Sequence, residues 1–168
     1  MPSAPIVQLQ GEDKAFEYLK ALDQNVNQYT KSGAAPAQAA ARGETLIGIT
    51  FQHDLVTPKV TSNAPLVTVS PCEGTGFEVG SMSIIKGGKN QDQAKAWYDW
   101  ALTPEAQAIG AEAKAFQMPS NKRAKIPPQA PRLEQIKVID YDFAKYGSSA
   151  ERKRLLSKWD KEVKALPK

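Results

Sequence analysis

The sequence predicts an α/β protein. Helical patterns with an apolar stripe alternate with short, β-branched apolar runs bounded by turn residues, as expected when helices cover a mostly parallel sheet. Three runs carry the strand side: Thr45 to Phe51, Leu66 to Val69 and Val79 to Ile85. The first is almost continuously apolar, the signature of a strand buried on both faces.

Taken in order, Gly11 to Leu22 opens with Glu12 and Asp13, where acids favour a helix start, and continues with Phe16, Leu19, Leu22 and Val26 at helical spacing. A short helix follows, with Pro36 at an N1 position, alanines from Ala37 to Ala41 and a stop at Gly43. The run Thr45 to Phe51 then ends at Gln52-His53-Asp54. The second run closes at Pro71, and the third is entered through Glu73-Gly74-Thr75-Gly76.

Asn90 begins another helix with Gln93 at capping-box spacing and a buried stripe of Ala94, Trp97, Tyr98 and Ala101. Thr103-Pro104-Glu105 restarts it with a cap, a proline and a first-turn acid. Pro119, Pro127, Pro128 and Pro131 make 118–132 a loop or extended crossing. Ser148-Ser149-Ala150-Glu151 forms a second capping box, and Leu155, Leu156, Trp159, Val163 and Leu166 line one face of a closing helix. The aromatics Trp97, Trp100, Tyr141, Phe143, Tyr146 and Trp159 are read as packing groups.

With 168 residues, 41% hydrophobic and 24% charged, the chain has room for one cored domain or parts of two. Its apolar runs are far shorter than the ~20 residues of a spanning helix. The first nine residues show no secretory signal. One cysteine, Cys72, and one histidine, His53, exclude an intrachain disulfide and a four-ligand Cys/His zinc site. The net charge of +4 comes from the C-terminal third: residues 1–121 hold 9 Lys/Arg against 12 Asp/Glu, and 122–168 hold 13 against 6. Acids interspersed on the closing helix make this a solvated face rather than a nucleic-acid site.

Three places carry candidate chemistry. His53 and Asp54 stand at the carboxyl end of a predicted strand, where α/β sheets gather ligands, although a plain surface His-Asp pair has the same spacing. Thr30-Lys31-Ser32-Gly33 precedes a helix with hydroxyls, a cation and a flexible glycine, which suits an anion or simply a capped turn. Glu73-Gly74-Thr75-Gly76 offers a carboxylate, a hydroxyl and exposed backbone amides, but lacks the third glycine of a dinucleotide fingerprint. Gly87-Gly88-Lys89 fails the phosphate-loop pattern. A His53-Cys72 dyad is disfavoured because no helix start follows Cys72 to activate it. No catalytic residue, cofactor site or metal site is assigned.

Several words together resemble a known family. They are Tyr29-Thr30-Lys31-Ser32-Gly33-Ala34-Ala35-Pro36, Gly48-Ile49-Thr50-Phe51-Gln52-His53-Asp54, Glu73-Gly74-Thr75-Gly76-Phe77-Glu78 and Ile85-Lys86-Gly87-Gly88-Lys89-Asn90. Asp99-Trp100-Ala101-Leu102-Thr103-Pro104-Glu105 and Ile139-Asp140-Tyr141-Asp142-Phe143 follow in the same order. The chain resembles the extracellular solute-binding proteins of ABC importers, in the type 2 branch that takes ferric iron, sugar phosphates, polyamines or aminophosphonates.

The resemblance implies part of a two-lobe fold, with the C-terminal half represented. Residues 1–75 would belong to the second lobe, 76–118 to a hinge strand and first-lobe helices, and 119–168 to a crossing and a closing helix. It implies a non-enzymatic, periplasmic or extracellular protein that holds a small anionic or polyol solute and hands it to a membrane permease. Ligand contacts would come from Thr30, Lys31, Ser32, Gly33, His53, Asp54, Glu73, Gly74 and Thr75. Ferric binders of the family present adjacent tyrosines where this chain has His53-Asp54, so a phosphorylated sugar is favoured over iron. The alternatives are a ferric-ion binder and a non-binding interaction fragment. Unpaired strand edges would make the chain associate with another copy or with a missing N-terminal half.

Overall fold

The computed structural model describes residues 3–167, and these form two compact units that the chain enters in alternation. One unit comprises the residues up to Tyr29, Ser70–Phe77 and the stretch from Leu133 onward; the other comprises Thr30–Val69 and Glu78–Arg132.

In the first unit, α1 (Ser3–Gln10) and α2 (Glu12–Asp23) are separated by Gly11, whose φ of 81° breaks the helix. Packing of α1 on α2 and of α8 (Ser149–Glu162) on α2 buries Val7, Ala15, Phe16, Leu19, Leu155 and Val163. Phe16 and Leu19 are each 2% exposed, and burying a side chain of that size is worth roughly 1.5 to 3 kcal/mol. Over this core, Glu12 accepts hydrogen bonds from Arg154 and from Lys158 (2.7 Å), and the Lys158 ammonium stands 4.5 Å from the centre of the Phe16 ring. These cations hold the Glu12 carboxyl at about 2, the Arg154 hydrogen bond contributing most.

Gln8 on α1 mimics a strand with its side chain: Nε2 donates to the Asp140 carbonyl and Oε1 accepts from the Asp142 N–H. Asp142 then caps α7 (Phe143–Tyr146) by accepting from the Lys145 N–H. Ser148 caps α8 through the Glu151 N–H, as the capping-box pattern predicts. The Glu151 carboxylate is instead taken by Arg154. Tyr141 lies against Phe143 and Tyr146, and Trp159 against Tyr29, so Tyr141, Tyr146 and Trp159 pack as expected, whereas Phe143 and, in the other unit, Trp100 are half exposed.

In the second unit, α3 (Ala35–Ala41) ends in a Schellman motif at Gly43: the Glu44 N–H reaches the Ala39 carbonyl and the Gly43 N–H reaches Ala40. α4 (Gln52–Ser62) is followed by left-handed Asn63, and α5 (Gln91–Ala101) and α6 (Pro104–Glu112) complete the helices. Thr103 caps α6 by accepting from Ala106, with Pro104 in its first turn.

Three expectations are corrected here. Thr45 to Phe51, Leu66 to Val69 and Val79 to Ile85 are not strands: among the described residues the β pairing is the isolated parallel bridge Thr75–Val138. Leu46 is 101% exposed, Ile47 81% and Ile85 80%, so the runs are not buried either. β-branched composition prepares a segment for a sheet, but a ladder needs a neighbouring strand to accept its N–H groups. Second, α5 buries no residue and Trp97 is 58% exposed. Third, Asn90 makes no side-chain cap; Gln91 Nε2 binds the Ile85 and Gly88 carbonyls instead.

Candidate functional site

In the second unit, two tight approaches bring the Thr30–Gly33 turn to the start of α4. Gly48 lies so close to α3 that a Cβ would come within 2.6 Å of the Pro36 carbonyl oxygen, which demands glycine there. Two residues on, Thr50 Oγ1 donates to the Gly33 carbonyl at 2.6 Å. The turn is closed from within by Thr30 Oγ1 donating to the Ser32 carbonyl. A Cβ on Gly33 would stand 3.4 Å from the Phe51 ring and 3.8 Å from Asp54 Oδ2, so the turn, Phe51 and the Asp54 carboxylate are near neighbours.

His53 and Asp54 occupy the first turn of α4, not the end of a strand. That helix escapes a propensity reading because Val56, Thr57, Val60 and Thr61 are β-branched and Pro58 lies inside it. The His53 ring stacks on Phe51, with centroids 5.5 Å apart and planes 16° apart. Its Nε2 is 3.2 Å from Gln117 Nε2 and 3.6 Å from Asp54 Oδ1. Thr57 Oγ1 donates to the Lys114 carbonyl and ties α4 to the chain leaving α6. That chain turns at Lys114, with φ of 60°, and reaches Gln117 three residues later. Thr50, Phe51 and Gln117 are therefore site neighbours that spacing did not single out; Gln117 has no local sequence signal.

Glu73, Gly74 and Thr75 belong to the other unit. The expectation of exposed backbone amides is corrected there: the Gly74 N–H binds the Pro71 carbonyl and the Thr75 N–H binds the Lys137 carbonyl. Gly74 is buried at φ 124°, where a Cβ would meet Ile139 Cγ2 at 2.7 Å. Packing alone accounts for that glycine. Glu73 remains exposed, and its carboxyl is lowered first by its own backbone N–H and then by the Cys72 thiol, which donates to Oε2. Among the described residues no group of three or more His, Cys, Asp or Glu could hold a metal ion, and no helix is long and apolar enough to cross a membrane.

Both the fold and these words are those of a bacterial extracellular solute-binding protein. The profile of that family matches residues 4–146, and the chain belongs to it. A protein of Haemophilus influenzae described as uncharacterized is 48% identical over 162 residues, which cover 96% of this chain and 46% of that one. Among solved structures, the periplasmic binding protein AfuA of Actinobacillus pleuropneumoniae, in a form with exogenous fructose-6-phosphate bound, superposes with a TM-score of 0.90. It is 51% identical, with 96% of this chain and 50% of AfuA covered. The periplasmic binding protein P5PA gives 0.87 at 40% identity, covering 96% of this chain and 51% of its own. The chain thus spans about half the length of these relatives. The α/β periplasmic-binding fold and the C-terminal-half reading agree with these matches.

Proposed function

We propose that the chain contributes to the solute-binding component of an ABC importer, working outside the cytoplasmic membrane and without catalysis, and that its cargo is a small phosphorylated sugar rather than ferric iron. The observation that carries this reading is the meeting of the Thr30–Gly33 turn with His53 and Asp54 in one unit. A turn bearing Lys31 and hydroxyls suits phosphate, while a carboxylate 20% exposed suits sugar hydroxyls. The sugar phosphate held by AfuA supports the same class of cargo. The absence of any adjacent tyrosine pair from the sequence removes the hard phenolate donors that a trivalent ion favours.

Within the other unit the exposed Glu73 carboxylate is the group proposed to meet a ligand, while Gly74 and Thr75, whose N–H groups are already bonded, fix the backbone beside it. The exposed runs around Ile47, Val67 and Ile85 call for cover from a second copy or from a chain carrying the remainder of the fold, and the loaded protein hands its solute to a permease. Asp54→Ala tests the site. It should weaken fructose 6-phosphate binding by about 1.5 to 3 kcal/mol in calorimetry while the melting temperature of the unliganded chain stays in place. Unchanged affinity would remove Asp54 from the site.

A further inference from the structure

Two polar groups compete for the same atom of His53. The Gln117 carboxamide nitrogen, 3.2 Å from Nε2, can only donate, so its bond requires a lone pair on Nε2. The Asp54 carboxylate, 3.6 Å from the same nitrogen, can only accept and would require a proton there. Distance decides between them: 3.2 Å is at the edge of ordinary hydrogen-bond length and 3.6 Å is beyond it. The stack on Phe51 restricts the ring that both groups address.

We infer that Gln117 is a positioning residue of the site: by holding the Nε2 lone pair of neutral His53 it places the ring proton on Nδ1 and keeps the imidazole from consuming the Asp54 carboxylate. A histidine tautomer is set by the hydrogen bond made at its other nitrogen, and here that bond comes from a side chain 64 residues away in sequence. The arrangement leaves two complementary groups for a solute, an N–H donor at Nδ1 and an acceptor at Asp54. Without Gln117, the nearest of these polar partners to Nε2 is Asp54, which draws the proton to Nε2 and spends both groups on each other. The use of these groups by a solute rests on the function proposed above; the tautomer does not.

His53 is the sole histidine of the chain, so its ring nitrogens can be read by long-range proton–nitrogen NMR on the whole protein without assignment. Along a pH series, the alkaline plateau of the unmodified chain should show a lone-pair nitrogen at Nε2 and a protonated one at Nδ1. Gln117→Leu removes the donor and Gln117→Glu replaces it with an acceptor; both should make the Nε2–H form the majority. A fructose 6-phosphate titration of Gln117→Leu should show affinity lower by about two- to tenfold, the range of one hydrogen bond. A protonated Nε2 in the unmodified chain, or the same tautomer in all three proteins, overturns the assignment. If the tautomer reverses as stated but fructose 6-phosphate binds none of the proteins, the positioning role stands and the sugar-phosphate reading fails.

Discussion

The two compact units solve the problem of burying apolar surface to different extents. In the one built on α1, α2 and α8, five apolar residues of the three helices and Val163 just past α8 form a closed cluster, sealed by the Glu12, Arg154 and Lys158 ion pairs. In the one carrying His53, Asp54 and the Thr30–Gly33 turn, the buried apolar residues among those described are Ala37, Pro58, Phe116, Ala124 and Ala130. Leu46, Ile47, Val67, Val79, Ile85 and Trp97 of that unit stay exposed. The contrast separates holding a fold from presenting a site: the candidate ligand groups stand where local hydrogen bonds and glycine contacts fix the backbone, with little core beneath them.

The largest expected effects test that contrast directly. Phe16→Ala empties the centre of the closed cluster and should cost about 3 to 5 kcal/mol in denaturant unfolding. Phe116→Ala in the other unit should cost clearly less, near the lower limit of about 3 kcal/mol, because large buried apolar side chains are scarcer in that unit. Equal losses, or a larger one at Phe116, would erase the difference between the units.

A smaller effect is expected at the start of α8. Ser148→Ala removes the hydroxyl that accepts from the Glu151 N–H and should lower stability by about 1 kcal/mol, with Ser148→Gly less harmful. This cap and the Thr103 cap of α6 were legible in the sequence, as were the proline and the Gly43 stop of α3, because each signal lies within four residues of what it controls. The three apolar runs depart from the sequence expectation for the opposite reason. Their composition suits a sheet, yet pairing is a property of the neighbour and not of the run. At Asn90 the spacing was right for a capping box, but Gln91 reaches Ile85 and Gly88 instead, a choice that depends on how the preceding turn folds back.

The candidate site divides the same way. His53, Asp54 and the Thr30–Gly33 turn were visible as residue types near element ends. The placement of His53 and Asp54 in the first turn of α4 was hidden by Pro58 and the β-branched residues of that helix. Gln117 was not visible at all, since nothing near it in sequence marks it and it reaches His53 through the turn at Lys114 and the Thr57 tie.

The smallest effect concerns acid. Arg154 and Lys158 hold the folded Glu12 carboxyl at about 2 against an ordinary 4.5, so the folded state binds this proton less readily than the unfolded one. The stabilisation is fully present above about pH 4.5 and is lost as the pH falls toward 2. With Glu12 still 29% exposed, solvent screening limits it to about 1 kcal/mol or less. Glu12→Gln should flatten this part of the stability profile while leaving the contribution of other acids; an unchanged acid limb would remove the network from the account of the closed unit.

The central claim, that the loosely cored unit presents a sugar-phosphate site, is tested most directly by titrating the isotopically labelled chain with fructose 6-phosphate and with ferric citrate while following backbone amides. Fructose 6-phosphate should shift Lys31, Ser32, Gly33, His53 and Asp54 saturably and leave the Phe16 and Leu155 cluster unmoved, with ferric citrate producing neither those shifts nor a phenolate charge-transfer band. Saturable ferric binding with such a band, or no fructose 6-phosphate response at these five residues, would contradict it.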